Sequence, residues 1–180
     1  VVHPGVPVKS VKELIALAKS KPGALNFGSS GSGGSNHLAG ELFNAMAGVK
    51  MVHVPYKGNA PALADLVGGH VDLVFNGLTS ALPLIKSGRL RPVGVTSLKR
   101  ASALPEIPTL DEQGLKGFQT VAWNGVTAPA GTPKNVIDKI NAKLNDAGGT
   151  DSGTGYLLLG GNLGSGGTRS ISSAHDYRFV

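Results

Sequence analysis

The chain has 180 residues, 41% of them hydrophobic and 16% charged, with a formal net charge of +6 and no cysteine. This composition is typical of a folded domain with one sizeable core and excludes disordered chains, which are poorer in apolar residues and richer in charge. The lack of cysteine excludes disulfide frameworks and cysteine-based metal sites, and the scattered lysines and arginines, with few aromatics beside them, argue against a nucleic-acid partner.

The first elements are a helix and then a strand-loop-helix unit. SVKELIALAKSKPG predicts a helix with Ser10 as N-cap and Glu13 three residues on, closed by the proline-glycine pair. LNFGSS, residues 25–30, predicts a strand that enters a glycine-serine loop. The following segment predicts a helix from Ser35 to Gly48, which packs on the core through one apolar stripe: Leu38, Leu42, Phe43 and Met46.

The same alternation of strand and helix continues to residue 96. Apolar runs separated by helical patterns predict strands at 51–55, 71–76 and 91–96 and helices at 60–69 and 80–88. Parallel strands need such crossover helices, which cover both faces of the sheet. The sequence therefore predicts an α/β lobe with a largely parallel sheet and helices on both faces.

The rest of the chain, residues 97–180, is less regular. Residues 97–117 are rich in proline and predict turns, and residues 118–129 predict a strand that leaves the lobe. GTPKNVIDKINAKLND, residues 131–146, predicts a helix with Thr132 as N-cap and Pro133 as its first residue. Composition then changes, so we expect an α/β lobe over residues 1–147 and a glycine-rich appendage over 148–180, whose one strand-like run is YLLLG.

The loop SSGSGGS, residues 29–35, has the composition of an anion site. It follows a predicted strand and opens a helix, where glycines let N–H groups turn toward a common point and serines add hydroxyl donors. It matches neither the phosphate-loop pattern GxxxxGK[ST] nor the dinucleotide fingerprint. A carboxylate is therefore the better fit, and a loop that merely allows a tight turn is the open alternative.

An α/β serine hydrolase or transferase that uses the 29–35 loop is the second alternative. Ser30 or Ser32 would be the nucleophile, His37 or His53 the base and Asp72 the orienting acid. The elbow pattern GxSxG fails at Ser32, because Ser30 stands where the pattern needs glycine. Structural roles are favoured for the histidines, and no ligand spacing supports a metal site, so no metal and no cofactor are expected.

Five long stretches carry a family likeness: VVHPGVPVKSVKELIALAKSKPG, NFGSSGSGGSNHLAGELF, MVHVPYKGNAPALADLVGGHVDLVF, LPLIKSGRLRPVGVTSLKRASALPEIPTLDEQG and WNGVTAPAGTP. In this order, over about residues 1–147, they resemble the second lobe of the substrate-binding proteins of tripartite tricarboxylate transporters, the Bug family. The resemblance implies a lobe of a type II periplasmic binding protein, or Venus flytrap. It also implies a periplasmic location, no enzymatic activity, a small carboxylate caught between two lobes, and membrane permease subunits as partners.

The resemblance also implies ligand-binding roles. Tyr56 and Lys57, in the YKG stretch, line the cleft of such a protein. Asn76 stands where the family often has an acid, which favours a plain carboxylate over an amino acid as ligand. The loop that grips the carboxylate supplies the largest set of residues: Ser29, Ser30, Gly31, Ser32, Gly33, Ser35 and His37.

The chain departs from the family at its ends. In the family, the first lobe normally precedes the position that corresponds to residue 1. The family's C-terminal helical region is replaced in this chain by AGGTDSGTGYLLLGGNLGS. Residues 148–151 resemble the first-lobe loop GGTD, which makes Thr150 and Asp151 candidate ligand-binding residues. This order of segments implies a rearranged, incomplete or partly misassigned chain, with 148–180 as a remnant of the first lobe.

Overall fold

The computed structural model describes residues 1–121, 124–129, 131–147 and 156–159. The chain divides into two compact units, Val1–Ala122 and Trp123–Val180. The predicted division into residues 1–147 and 148–180 stays a prediction. Among the described residues, no helix is both long and apolar enough to cross a bilayer.

The first unit alternates helices with short strands, as expected from the sequence. Its elements are α1 (Val11–Ser20), β1 (Asn26–Ser29), α2 (Ser35–Ala47), β2 (Val52–Pro55), α3 (Asn59–Gly68), β3 (Leu73–Val74) and α4 (Leu78–Lys86). The strands form a parallel sheet in the order β2-β1-β3. The α/β class is confirmed.

Helices cover both faces of this sheet, because its strands alternate their side chains between two apolar clusters. On one face Phe27 and Leu73 pack with residues of α1 and α2 such as Leu14 and Phe43. On the other face the cluster includes Val74 and residues of α3 and α4, namely Leu63, Leu66, Leu84 and Ile85.

Local signals place most helix ends correctly. The Ser10 side chain accepts a hydrogen bond from the Glu13 N–H, and α1 begins at the next residue. Gly48 and Gly69 end α2 and α3 in the left-handed conformation, at φ 62° and 75°. The helix α4 begins two residues before its predicted start, directly after Gly77.

The strand predicted at 91–96 does not form. Only isolated bridges occur there, at Arg91 and Val95. The N-terminal segment takes the place beside β3 instead, since Val2 makes antiparallel bridges to both Leu73 and Arg91. The Arg91 guanidinium fixes this segment by donating to three of its carbonyl oxygens, those of Pro4, Val6 and Val8.

The apolar stripe predicted for α2 is wrong at two of its four positions. Leu38 is 57% exposed and Met46 38% exposed. Apart from Phe43, the buried residues of the helix are small or medium-sized: Asn36, Ala39, Gly40 and Ala47. The reason is close packing, because the aromatic ring of Phe27 lies directly against the backbone at Gly40 and leaves no room for larger side chains.

The irregular segment 97–117 is held by side chains rather than by secondary structure. Gln113 accepts a hydrogen bond from the Val11 N–H and donates to the Val93 carbonyl. Thr109 and Glu112 bond to each other's backbone N–H groups. The segment is thereby tied to α1 and to the edge of the lobe.

The second unit contains β4 (Asn124–Thr127), α5 (Lys134–Ala147) and β5 (Tyr156–Leu159), and its two strands are parallel. The sequence predicts a strand over all of 118–129; of the residues described in this range, 124–127 form one. Helix α5 begins one residue after the predicted start, and the Thr132 hydroxyl donates to the Pro129 carbonyl rather than to the helix. The predicted YLLL strand is present as β5.

Candidate functional site

The carboxyl ends of β1, β2 and β3 lie at one edge of the sheet, because the three strands are parallel. A glycine-containing connection follows each strand and leads into α2, α3 or α4. In open α/β sheets, ligands bind at this edge. The predicted loop at 29–35 and the predicted residues Tyr56, Lys57 and Asn76 all lie there.

The three helices that begin at this edge share an unusual start. Their N-cap residues are Gly34, Gly58 and Gly77, and none of these helices has a side-chain cap or an acidic residue in its first turn. Helix α1 differs, since it has both the Ser10 cap and Glu13. Uncapped N-termini carry free N–H donors and partial positive charge, so this edge favours an anion.

Several N–H groups of the loop after β1 donate hydrogen bonds to side chains of the loop and of the first turn of α2. The Asn36 side-chain oxygen accepts from both the N–H and the hydroxyl of Ser30, at 3.2 and 2.9 Å. The Gly31 N–H donates to Ser29 Oγ at 3.1 Å, and the Gly33 N–H donates to His37 Nδ1 at 3.0 Å. These bonds hold the loop in one shape.

The donors that remain free are at the tip of the loop and the start of α2. Ser32 and Ser35 are exposed, and no described residue accepts a hydrogen bond from their N–H or hydroxyl groups. Ser29 is different, because it is completely buried. Of the serines predicted to grip a ligand, Ser32 and Ser35 are therefore the ones best placed to touch it, and Ser29 supports the loop from below.

Ser29 is held by His53, for which the sequence favours a structural role over a catalytic one. His53 Nε2, on β2, lies 2.5 Å from Ser29 Oγ, which also accepts from the Gly31 N–H and donates to the Gly31 carbonyl. A hydroxyl has one proton to donate. All three contacts are therefore satisfied together when His53 carries a proton on Nε2.

The two histidines of the site lie in an aromatic stack. The His37 and His53 rings have centroids 3.8 Å apart and planes 26° apart, and Phe27 lies 5.1 Å from His53. His37 Nε2 lies 3.8 Å from a Glu41 carboxylate oxygen. Burial, followed by the charge of His37, lowers the pKa of His53, and Glu41 opposes this shift.

Tyr56 and Lys57 lie side by side but differ in their contacts. The Tyr56 hydroxyl donates to the Asp65 carboxylate at 2.7 Å. Burial, followed by the hydrogen bond to Asp65, raises the pKa of Tyr56 to about 12. Lys57 is exposed and pairs with no described acid, so its ammonium group is the more available of the two for an anion.

Asn76 belongs to a small polar cluster with Asn59 and Ser80. The side-chain amides of Asn76 and Asn59 donate to Ser80 Oγ, at 3.0 and 3.3 Å. Asn76 also donates to the Gly77 carbonyl. Both amide oxygens, Asn59 Oδ1 and Asn76 Oδ1, are buried without a partner among the described residues, which is an energetically costly arrangement.

The hydrolase alternative is not supported by this geometry. Ser30 bonds to Asn36 rather than to a histidine, and the one serine that contacts His53, Ser29, is buried. The Asp72 carboxylate accepts from the N–H of Asn26, at the opposite end of β1. No nucleophile, base and orienting acid come together, and no group of three metal-ligating side chains occurs among the described residues.

The comparisons with known proteins decide the family. The sequence profile described as "Tripartite tricarboxylate transporter family receptor" matches residues 1–152. The chain belongs to this family. The predicted resemblance is thereby confirmed.

Three proteins illustrate what this receptor-family chain is similar to. The "UPF0065 protein in tcbD-tcbE intergenic region" of Pseudomonas sp. strain P51 is 46% identical over 140 residues, covering 77% of this chain and 42% of that protein. The structure "R. palustris Rpa4515 with adipate" has a TM-score of 0.73 at 39% identity, covering 84% of this chain and 51% of that one. The periplasmic binding protein BugD has a TM-score of 0.69 at 37% identity, covering 79% and 48%. The chain thus spans about half the length of these relatives.

Sequence reasoning about this receptor-family chain missed several supporting residues. Asn36 and His53 shape the loop, and Asn59 and Ser80 surround Asn76. The register of the strands was the missing signal: it pairs Phe27 with His53, which puts them on the same face. Thr150 and Asp151, the last two predicted ligand-binding residues, lie outside the described residues.

A separate cavity of about 410 Å³ opens at the opposite edge of the first unit, near the amino ends of β1 and β3. His3, Lys21 and Asp72 are among its lining residues. Asp72 is already bonded to Asn26. Among the described residues, no uncapped helix start faces this cavity, so it lacks the feature that favours an anion at the carboxyl edge.

Proposed function

We propose that this chain is a lobe of a periplasmic solute-binding protein that captures a small carboxylate and presents it to the membrane permease of a tripartite tricarboxylate-type transporter. The carboxylate binds at the carboxyl edge of β1–β3. The observation that carries the proposal is the set of three uncapped helix starts at this edge. Family membership and the adipate in a solved relative support it.

The proposed grip uses backbone and hydroxyl donors rather than a catalytic group. One carboxylate oxygen accepts from the N–H and hydroxyl of Ser35 at the start of α2, and Ser32 closes over it from the loop. Lys57 adds a positive charge at the rim. Such charge-assisted bonds are shorter and stronger than neutral ones, and they bind the ligand without changing it, so no enzymatic step is proposed.

Calorimetry of the purified chain with a panel of di- and tricarboxylates tests the proposal. A binding protein that closes over its ligand surrounds it with two sets of donors and removes competing water. This lobe offers one set, and each charge-assisted bond lost costs about 1.5–3 kcal/mol. We expect dissociation constants in roughly the high micromolar to millimolar range.

The decisive variant is Ser35→Asp. An aspartate at the start of α2 stabilises the helix through its dipole, yet it places a negative charge where the ligand carboxylate should lie. Affinity should fall at least about tenfold while the melting temperature stays equal or rises. Ser20→Asp, which adds the same charge at the far end of α1, is the control and should bind like the parent chain. Equal affinities of the two variants would overturn the assignment.

A further inference from the structure

The stacked histidines beside the loop have no role in the grip described above, although they hold the loop at two points. His53 contacts Ser29 at the end of β1, and His37 accepts from the Gly33 N–H. Their ring centroids are 3.8 Å apart. Any change in the charge of these rings therefore occurs next to the proposed carboxylate.

His53 can accept an extra proton with less loss of hydrogen bonding than His37 can. Protonation of His37 at Nδ1 would remove the acceptor of the Gly33 N–H. His53 uses only Nε2, toward Ser29, and its Nδ1 bonds to no described residue. His53 can therefore take a proton at Nδ1 and keep its contact. Two charged rings at this distance would repel each other, so a second proton is strongly disfavoured.

The charged groups that face His53 among the described residues come from α2. They are His37 and Glu41, whereas β1 presents the uncharged Phe27 and Ser29. Burial is the main cause that lowers the pKa of His53, a positive charge on His37 would lower it further, and Glu41 opposes the shift. In the ligand-free lobe His53 therefore binds an extra proton less readily than a free imidazole does.

We propose that His53 is a positioning residue of the carboxylate site, and that carboxylate binding is coupled to the uptake of one proton by the stacked His37–His53 pair. The proposal rests on the proposed function. A carboxylate at the start of α2 brings a negative charge close to the pair, and a nearby opposite charge favours the imidazolium. By linkage, binding strengthens as pH falls through the range in which the pair titrates.

The first experiment needs no ligand. Proton NMR titration of the histidine ring signals in the full chain should show the His37–His53 pair binding its second proton at least about tenfold more weakly than its first. The exposed His70, which lies outside the stack, serves as an internal reference. Two independent titrations of His37 and His53, each unchanged by replacement of the other ring, would overturn the proposal.

The second experiment measures proton uptake directly. Adipate binding is followed by calorimetry at pH 6.5 in two buffers of different ionisation enthalpy, PIPES and Bis-Tris. We expect the heats to differ in the sense of proton uptake, with a stoichiometry that does not exceed one proton per adipate. Heats that agree between the buffers would overturn the coupling and leave carboxylate binding intact, whereas no heat at any pH would contradict the proposed function itself.

Three variants distinguish a specific role of His53 in the carboxylate site from a general loss of structure. His53→Gln keeps an amide donor toward Ser29 but cannot titrate, so proton uptake should vanish and the affinity for adipate should no longer rise as pH falls. His53→Ala removes the donor as well and should weaken binding at every pH by about tenfold, the worth of one lost hydrogen bond. His70→Gln is the matched control and should change neither. Proton uptake that persists in His53→Gln would show that another group is responsible.

Discussion

The ring of Phe27 occupies the space that a side chain at Gly40 would need. An ideal Cβ at Gly40 would lie 2.2 Å from Cε2 of Phe27, and Phe27 is completely buried. The ring cannot move aside, because His53 stacks on it at 5.1 Å and Phe75 meets it edge-on at 6.3 Å. This contact sets the distance between α2 and β1, and with it the position of the helix start that faces the proposed ligand.

Gly40→Ala should therefore destabilise the lobe, although alanine is the better helix former by about 1 kcal/mol. Overpacking of a filled core typically costs about 1–3 kcal/mol. We expect the free energy of unfolding, measured with urea, to fall by about that amount. In a Phe27→Leu background the cost of Gly40→Ala should shrink, and equal costs in both backgrounds would show that the ring is not the cause.

Arg91→Lys should weaken the attachment of the N-terminal segment and so lower the free energy of unfolding, although the positive charge is kept. The guanidinium spans the carbonyls of Pro4, Val6 and Val8, which one ammonium group cannot reproduce. We expect a loss of about 1–3 kcal/mol in the free energy of unfolding. Arg89 is exposed, so Arg89→Lys is the matched control and should be neutral. Equal stability of the two variants would contradict a stabilising role for Arg91.

Replacement of two asparagines of the site should change stability by different amounts. Asn36→Ala leaves the Ser30 N–H and hydroxyl without their acceptor and should cost about 1–2 kcal/mol of stability and weaken carboxylate binding. Asn59→Ala removes a buried oxygen that has no partner among the described residues and should change stability by less than about 0.5 kcal/mol. Thermal melts of the two variants at one pH check this, and a larger loss in Asn59→Ala would refute the ranking.

Tyr56 should ionise at a higher pH than a free phenol. Its pKa is raised to about 12 by burial and by the Asp65 carboxylate, against about 10 for a free phenol. Because the folded pKa is the higher one, the associated stability is complete below pH ~10 and is lost as pH rises toward 12. Absorbance titration near 295 nm should resolve this group, with Tyr56→Phe identifying its signal.

The Asp65 contact can be tested in the same titration. Asp65→Asn removes the negative charge that opposes ionisation of Tyr56, while burial remains. We expect the pKa of Tyr56 to move from about 12 part of the way toward its ordinary value. An unchanged titration in Asp65→Asn would mean that burial alone sets the pKa.

The order and type of most elements, and the edge at which the proposed site lies, follow from local sequence. Ser10 with Glu13 marks the start of α1, and glycines mark the ends of α2 and α3. These signals act within a few residues, so they can be recognised in the chain without knowledge of the fold. The glycine-serine loop after β1 was found in the same way, and several long motifs identified the family.

Contacts between distant segments were decided only by the tertiary structure. Val2 displaces residues 91–96 from the sheet, and Phe27 against Gly40 turns Leu38 and Met46 outward. Within the site, Ser29 is buried and supports the loop, and its hydroxyl contacts His53, which lies 24 residues later in the sequence. Helical periodicity shows that one face is apolar but does not show how closely a neighbour approaches it, and a strand's sequence does not state its register. Both depend on how side chains from separate elements fill the same space.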